Sequence, residues 1–201
     1  MVNFSYSKIT QMVFKNIHML YNFGMDTFMK TSKGEITLRP ARVTDAPAFR
    51  ALRLEALHNH PEAFSSDYAT NFAFPSTFWE QRLNDLGQAG SVFFADHEGD
   101  LVGMCGIHRE SSPKLQHTAT IWGVYVKEDF RGHQITEGLI SRCTAWAMEK
   151  GVKVVKLAVV TSNTRAIKTY TRCGFTVYGV EPLAICIDGT MYDEMLMALM
   201  L

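Results

Sequence analysis

Two short stretches hold the residues best suited to chemistry. The first, Arg131-Gly132-His133-Gln134-Ile135-Thr136, follows the apolar run Thr120-Ile121-Trp122-Gly123-Val124-Tyr125-Val126 and precedes a helical pattern. A turn entering a helix presents unpaired backbone N–H groups and the positive end of the helix dipole, so this stretch suits an anion such as a pyrophosphate. Arg131 can add a charge-assisted contact to the same anion. The second stretch, Asn163-Thr164-Arg165-Ala166 with Tyr170-Thr171-Arg172-Cys173-Gly174-Phe175, places an Asn at a helix start and a Tyr two turns later. A phenol, with its ordinary pKa of about 10, can hydrogen-bond a leaving group and donate a proton to it. Together they suggest a ligand carrying a pyrophosphate and a reaction needing one well-placed proton.

Each of these residues also has a plainer structural role. Asn163 suits a helix N-cap. Val124, Tyr125 and Val126 suit a core strand, Tyr170 a half-buried aromatic position, and Arg131 a solvated turn. The two kinds of role are compatible on a strand, because side chains pack while the backbone binds.

The elements that would position these stretches follow from periodicity. Ile36 to Arg39 reads as a strand, and Phe49, Leu52, Ala56 and Leu57 form one helical face ended by Pro61. A loop is expected over Phe64 to Phe74. Thr77-Phe78-Trp79-Glu80 fits a capping box that opens a second helix, with Gly87 as its stop. Two strands joined at Glu98-Gly99-Asp100 form a hairpin, and a long strand covers Thr118 to Val126. A helix from Gln134 to Lys150, a β-branched strand from Lys153 to Val160 and a short helix from Asn163 to Cys173 follow. Two last strands meet at Asp188-Gly189, and Pro182 requires an edge or a bulge. The β-α-β middle needs a parallel pair and the hairpins need antiparallel ones, so the fold class is α/β with a mixed sheet and helices on both faces.

Composition excludes several classes. Lys plus Arg and Asp plus Glu are 20 each, which offers no basic field for nucleic acid or an anionic membrane. No apolar run is long enough for a membrane span. Cys105, Cys143, Cys173 and Cys186 lie far apart and form no metal-ligand spacing, so they read as reduced thiols in a cytoplasmic protein with no metal. Residues 1–34 are Met-rich and read as an extension, in which Val13, Ile17, Leu20 and Tyr21 have the spacing of a short amphipathic helix. Residues 35–201 read as one domain.

Over residues 35–201 the chain resembles the GNAT superfamily, the acetyl-CoA-dependent N-acetyltransferases. The segment Asn163-x-x-Ala166-Ile167-x-x-Tyr170-x-x-x-Gly174-Phe175 is similar to a family signature. So are Ile36-Thr37-Leu38-Arg39-Pro40-Ala41, Leu52-Arg53-Leu54-Glu55-Ala56-Leu57 and Tyr192-Asp193-Glu194-x-Leu196-Met197. The family's pyrophosphate loop reads Gln/Arg-x-x-Gly-x-Gly/Ala. Here Arg131 fills its first position, while Gln134 and Thr136 replace the small residues. If Gln134 must be left-handed, the cost is ~1–2 kcal/mol.

The resemblance implies a mostly antiparallel mixed sheet of about seven strands flanked by about four helices. It implies acetyl-CoA as the acyl donor, with its pyrophosphate on the backbone of Arg131, Gly132, His133, Gln134, Ile135 and Thr136. The pantetheine arm would lie along Val124, Tyr125 and Val126, one of whose N–H groups would polarise the thioester carbonyl. Asn163 would hold a pantetheine amide, and Tyr170 would be the acid toward the departing thiolate. The expected reaction is direct attack by a primary amine of a small molecule or peptide, through a tetrahedral intermediate. Cys173 is not its nucleophile. The alternative is a catalytically weak acyl-CoA-binding regulatory module, which the altered loop would suit and for which Tyr170 would be superfluous. Glu55, Phe64 and Trp122 are candidates for the acceptor site, with Phe72, Phe74 and Trp79 as further apolar lining. Glu55, His108 and His117 are candidates for the base. A homodimer through the C-terminal strands is compatible with this layout.

Overall fold

The computed structural model describes residues 26–87 and 89–201. The helix expected around Val13 to Tyr21 lies outside them. Eight strands form one sheet in the order β1-β2-β3-β4-β5-β6-β8-β7, and β5–β6 is its one parallel pair among the described residues. The strands are β1 (Thr27–Thr31), β2 (Gly34–Pro40), β3 (Gly90–His97), β4 (Asp100–Arg109), β5 (Thr118–Val126), β6 (Val154–Val160), β7 (Thr176–Ile187) and β8 (Thr190–Met200). The helices are α1 (Ala46–Asn59), α2 (Tyr68–Ala73), α3 (Ser76–Asn84), α4 (Ile135–Glu149) and α5 (Thr164–Arg172).

The middle of the sheet is buried on both faces, which is why β3 reads as a continuous apolar run rather than an alternating one. Phe93 and Ala95 join the core under α4, with Leu139, Cys143 and Trp146. Val92 and Phe94 pack on the opposite face against Phe49, Leu52 and Ala56 of α1 and Trp79 and Leu83 of α3. Arg39 on β2 fixes the entry to α1, donating from Nη1 and Nη2 to Asp45 at 2.8 and 2.9 Å and from Nε to Asp96 at 2.9 Å.

Several local expectations are corrected. A strand not expected from the sequence, β1, pairs with β2 through a turn at Ser32-Lys33, so there are eight strands. Part of the expected loop is helix α2, whose N-cap Asp67 accepts from the Thr70 N–H at 2.8 Å; this brings the α-helices to five among the described residues. The Thr77 capping box does not form, because α3 already begins at Ser76 behind Pro75. Gly138 lies within α4, where a Cβ would press on Leu38 and Met29. The last hairpin turns at Asp188 and Gly189 (φ 49° and 81°), and Pro182 falls in a register shift of the edge strand β7, as expected. Of the cysteines, Cys105 and Cys143 are buried and Cys186 is exposed.

The feature that matters for function is an opening in the sheet. β5 and β6 pair only from Thr118↔Val154 to Thr120↔Lys156. Beyond that point β5 continues along β4 as far as Val126, and β6 along β8 as far as Val160. A bulge aids the divergence: the β4–β5 register shifts between Met104 and Gly106, and Gly123 takes φ 64°.

Candidate active site

The two diverging strands wall a cleft of about 740 Å³. Val124, Tyr125 and Val126 line one side and Ala158, Val159 and Val160 the other. The start of α4 and one face of α5 complete it, so the two stretches read as chemical from the sequence meet across one space.

The turn before α4 has the backbone geometry of an anion cradle. The consecutive backbone N–H groups of Gly132 to Glu137 donate to no protein group among the described residues, and the first helical bond, Gly138 N to Gln134 O at 3.0 Å, lies beyond them. Gly132 (φ 89°) and Gln134 (φ 61°, ψ 19°) are both left-handed, which curls the N–H groups into a concave nest. The substitution of Gln for Gly therefore preserves the geometry but adds strain. Gln134→Gly should raise unfolding stability by about 1 kcal/mol and tighten acetyl-CoA binding. Urea melts and titration would check this; unchanged stability would mean that Gln134 carries no strain.

Arg131 lines the cleft but is engaged by the protein. Its Nε donates to Val126 O at 3.0 Å, and its Nη2 lies 2.8 Å from His60 Nε2. A guanidinium only donates, so Nε2 accepts and the ring proton sits on Nδ1, 3.8 Å from Glu62 Oε1. Arg131 thus ties the end of β5 to the turn Pro61–Ala63. The positive charges along the cleft rim come instead from Arg165, Lys168 and Arg172 of α5, with Arg172 held by Glu137 at 2.6 Å.

Asn163 opens α5. Its Oδ1 accepts from the Ala166 N–H at 3.1 Å as an N-cap, while its amide NH2 donates to no described group and the residue lines the cleft. Tyr170 is 7 % exposed, lies 6.2 Å from the Phe175 ring and also lines the cleft. Burial, with smaller contributions from Cys105 and Cys173, raises its pKa well above the usual phenol range, so the hydroxyl stays protonated. Cys173 is pushed up to about 12, chiefly by burial, and is a protonated thiol rather than a nucleophile.

The other candidates are distributed as follows. Phe64 lines the cleft. Glu55 and Trp122 do not line it directly. Glu55 accepts from Tyr125 Oη at 2.8 Å and lies 3.8 Å from Lys127 Nζ. Burial first, and then Glu55, raise the Tyr125 pKa. Trp122 lies flat over Gly106 on the α1 face of the sheet. His133 turns toward Ser32 Oγ, 3.5 Å away, rather than into the cleft. His108 and His117 are exposed near the opposite end of β5 and do not reach the cleft. Trp79 is core, Phe74 stacks on Phe78 at 3.9 Å, and Phe72 is exposed.

Sequence reasoning missed His60, Glu62 and the basic rim. Arg165, Lys168 and Arg172 have i, i+3, i+7 spacing, a signal that was available once Asn163 was placed as the cap. His60 had no such signal, because only the tertiary contact to Arg131 gives it a role. Among the described residues no cluster of three or more His, Cys, Asp or Glu could hold a metal, and no helix is long and apolar enough to cross a membrane.

Residues 53–175 match the family described as Acetyltransferase (GNAT) family. The chain is 31% identical to a mycothiol acetyltransferase of Sanguibacter keddieii over 137 residues, covering 66% of this chain but only 40% of that protein's length. It is 27% identical to the L-amino acid N-acetyltransferase AaaT of Escherichia coli over 169 residues, covering 82% of this chain and 97% of AaaT. A GNAT-family acetyltransferase of Streptococcus pneumoniae shares the fold with a TM-score of 0.75 at 21% identity, covering 83% of this chain and 99% of that one. The yncA protein of Salmonella typhimurium, solved with acetyl-CoA, superposes with a TM-score of 0.67 at 22% identity, covering 82% and 93% of the two chains.

Proposed function

The chain belongs to the GNAT acetyltransferase family, an acyltransferase with acetyl-CoA as its donor, and from that premise we propose that it transfers the acetyl group to a primary amine by direct attack. The observation that carries this is the opening between β5 and β6, bounded at one end by the free N–H groups of Gly132 to Glu137 and at the other by Tyr170. Two relatives, AaaT and a streptothricin acetyltransferase of Escherichia coli, are named for amine-bearing acceptors, which supports the acceptor class.

In this proposal the cradle takes the pyrophosphate, the Asn163 amide NH2 holds a carbonyl of the pantetheine arm, and the arm lies between Val124–Val126 and Ala158–Val160. An N–H of the β5 edge polarises the thioester carbonyl, where charge develops. The amine nitrogen attacks the carbonyl carbon, a C–N bond forms, the C–S bond breaks and the electron pair leaves on sulfur. Tyr170 donates its hydrogen bond to that sulfur. Because its pKa is raised, full proton transfer is uphill, and the hydroxyl acts mainly by stabilising the departing charge. The amine's proton passes through water to Glu55, the carboxylate on the α1 side, which is already hydrogen-bonded to Tyr125. Residues 35–201, extended to Thr27 by β1, form the transferase unit, and the cytoplasmic setting expected from the scattered cysteines belongs to the same proposal.

The test is release of free CoA thiol from acetyl-CoA across a panel of primary amines. Amine-dependent release together with an acetylated product is expected. Release at the buffer hydrolysis rate with every amine would favour a module that binds acyl-CoA without turning it over.

A further inference from the structure

On the α1 face of the sheet, beside the cleft, two arginines lie without a counter-charge. Arg53 of α1 is 7 % exposed, and its Nη1 is buried with no hydrogen-bond partner. Its guanidinium stacks on Phe64 at 4.7 Å and sits over the β5 bulge, where a Cβ on Gly123 would stand 3.6 Å from Nη1. Arg82 of α3 is covered by Trp122 at 4.5 Å and flanked by Phe78 at 5.9 Å, and its Nε is likewise buried and unpartnered.

No carboxylate among the described residues pairs with either arginine. Residues 1–25 and Gln88 contain no Asp or Glu. Burial, with the charge of Arg82 in addition, lowers the Arg53 pKa to about 10. Burying a charge without a partner is strongly unfavourable, so Arg53, with the like charge of Arg82 acting on it, would be a liability unless an anion from outside completes it.

We propose that Arg53 and Arg82 bind the carboxylate of an amino acid, and that this is the acceptor of the transferase described above, on which the inference rests. Two guanidinium groups match a carboxylate as donors in a fixed planar array. Phe64, Phe78 and Trp122 make the surroundings apolar, which suits an uncharged side chain beside the carboxylate. Gly123 adjoins Val124, a residue of the cleft wall, so Arg53 lies beside the donor cleft. The pyrophosphate does not compete for these arginines, because it has its own cradle at the start of α4.

The test is calorimetric titration of the CoA-saturated protein with L-phenylalanine and L-methionine, and with the amide and the decarboxylated amine of each. At least one acid should bind about 100-fold or more tightly than its amide and its amine. Arg53→Met and Arg82→Met should each reduce that preference at least about tenfold while leaving the affinity for CoA unchanged. Neither should lower the melting temperature, since each removes an unpaired buried charge. Equal binding of acid, amide and amine, or binding of neither acid, overturns the proposal. A preference that survives both substitutions does the same. The readout is binding, so carboxylate-selective binding without CoA release would sink the transferase reading and the acceptor role but leave the carboxylate site standing, whereas CoA release from amines without regard to a carboxylate would sink only this site.

Discussion

Replacing Tyr170 with Phe should lower kcat by roughly 100-fold or more and leave the affinity for acetyl-CoA unchanged. The ring sits among buried neighbours, close to Phe175, and Phe fills the same volume, so the packing survives and only the hydroxyl is lost. That hydroxyl donates to no protein group among the described residues, so its removal leaves no orphaned partner. Raised by burial, its pKa keeps it protonated throughout the working range, and the variant should therefore not shift the pH profile near neutrality. Stopped-flow turnover with a productive amine, beside an acetyl-CoA titration, separates the two effects. Unchanged kcat would remove Tyr170 from the mechanism, and a loss of affinity without loss of kcat would make it a wall of the cleft.

Gly106→Ala should destabilise the fold by about 3 kcal/mol, at the upper end of what overpacking a core costs. Gly106 stands opposite Trp122 across the β4–β5 pair, and a Cβ there would clash with the face of the indole ring. Trp122 would have to leave its seat, taking with it the cover over Arg82. Urea unfolding should show the loss in midpoint, and acceptor KM should rise more than the KM for acetyl-CoA, because the donor cleft lies beyond the β5 bulge. Wild-type stability would show that Trp122 has a second seat of similar energy.

The donor half of the site was more legible in the sequence than the acceptor half, for a physical reason. A pyrophosphate is held by backbone at a strand–turn–helix junction, and such a junction announces itself: β-branched run, turn, helical period, Gly stop. The same holds for Asn163 and Tyr170, whose positions follow from a capped helix ended by Gly174. Even the departure at Gln134 could be given a conformation and a cost before its φ was known.

Arg53 shows the opposite case. Between Leu52 and Leu54 in a helix of mixed polarity it has no pattern that marks it as buried, and only the approach of α1 to Gly123 and Phe64 does so. Arg82 and His60 are likewise defined by what other elements bring to them. The missed strand β1 and the short helix α2 fail differently. Each is short, and each is stabilised by its pairing or cap rather than by a strong intrinsic pattern.

The most direct test of the central claim, that acetyl-CoA lies in the opening between β5 and β6 with its pyrophosphate on the start of α4, is amide hydrogen exchange with and without acetyl-CoA. The account predicts slowed exchange at Gly132–Glu137 and at Val124–Val126, with His108 and His117 at the far end of β5 unaffected. Saturating acetyl-CoA that leaves Gly132–Glu137 exchanging at the free rate would contradict it.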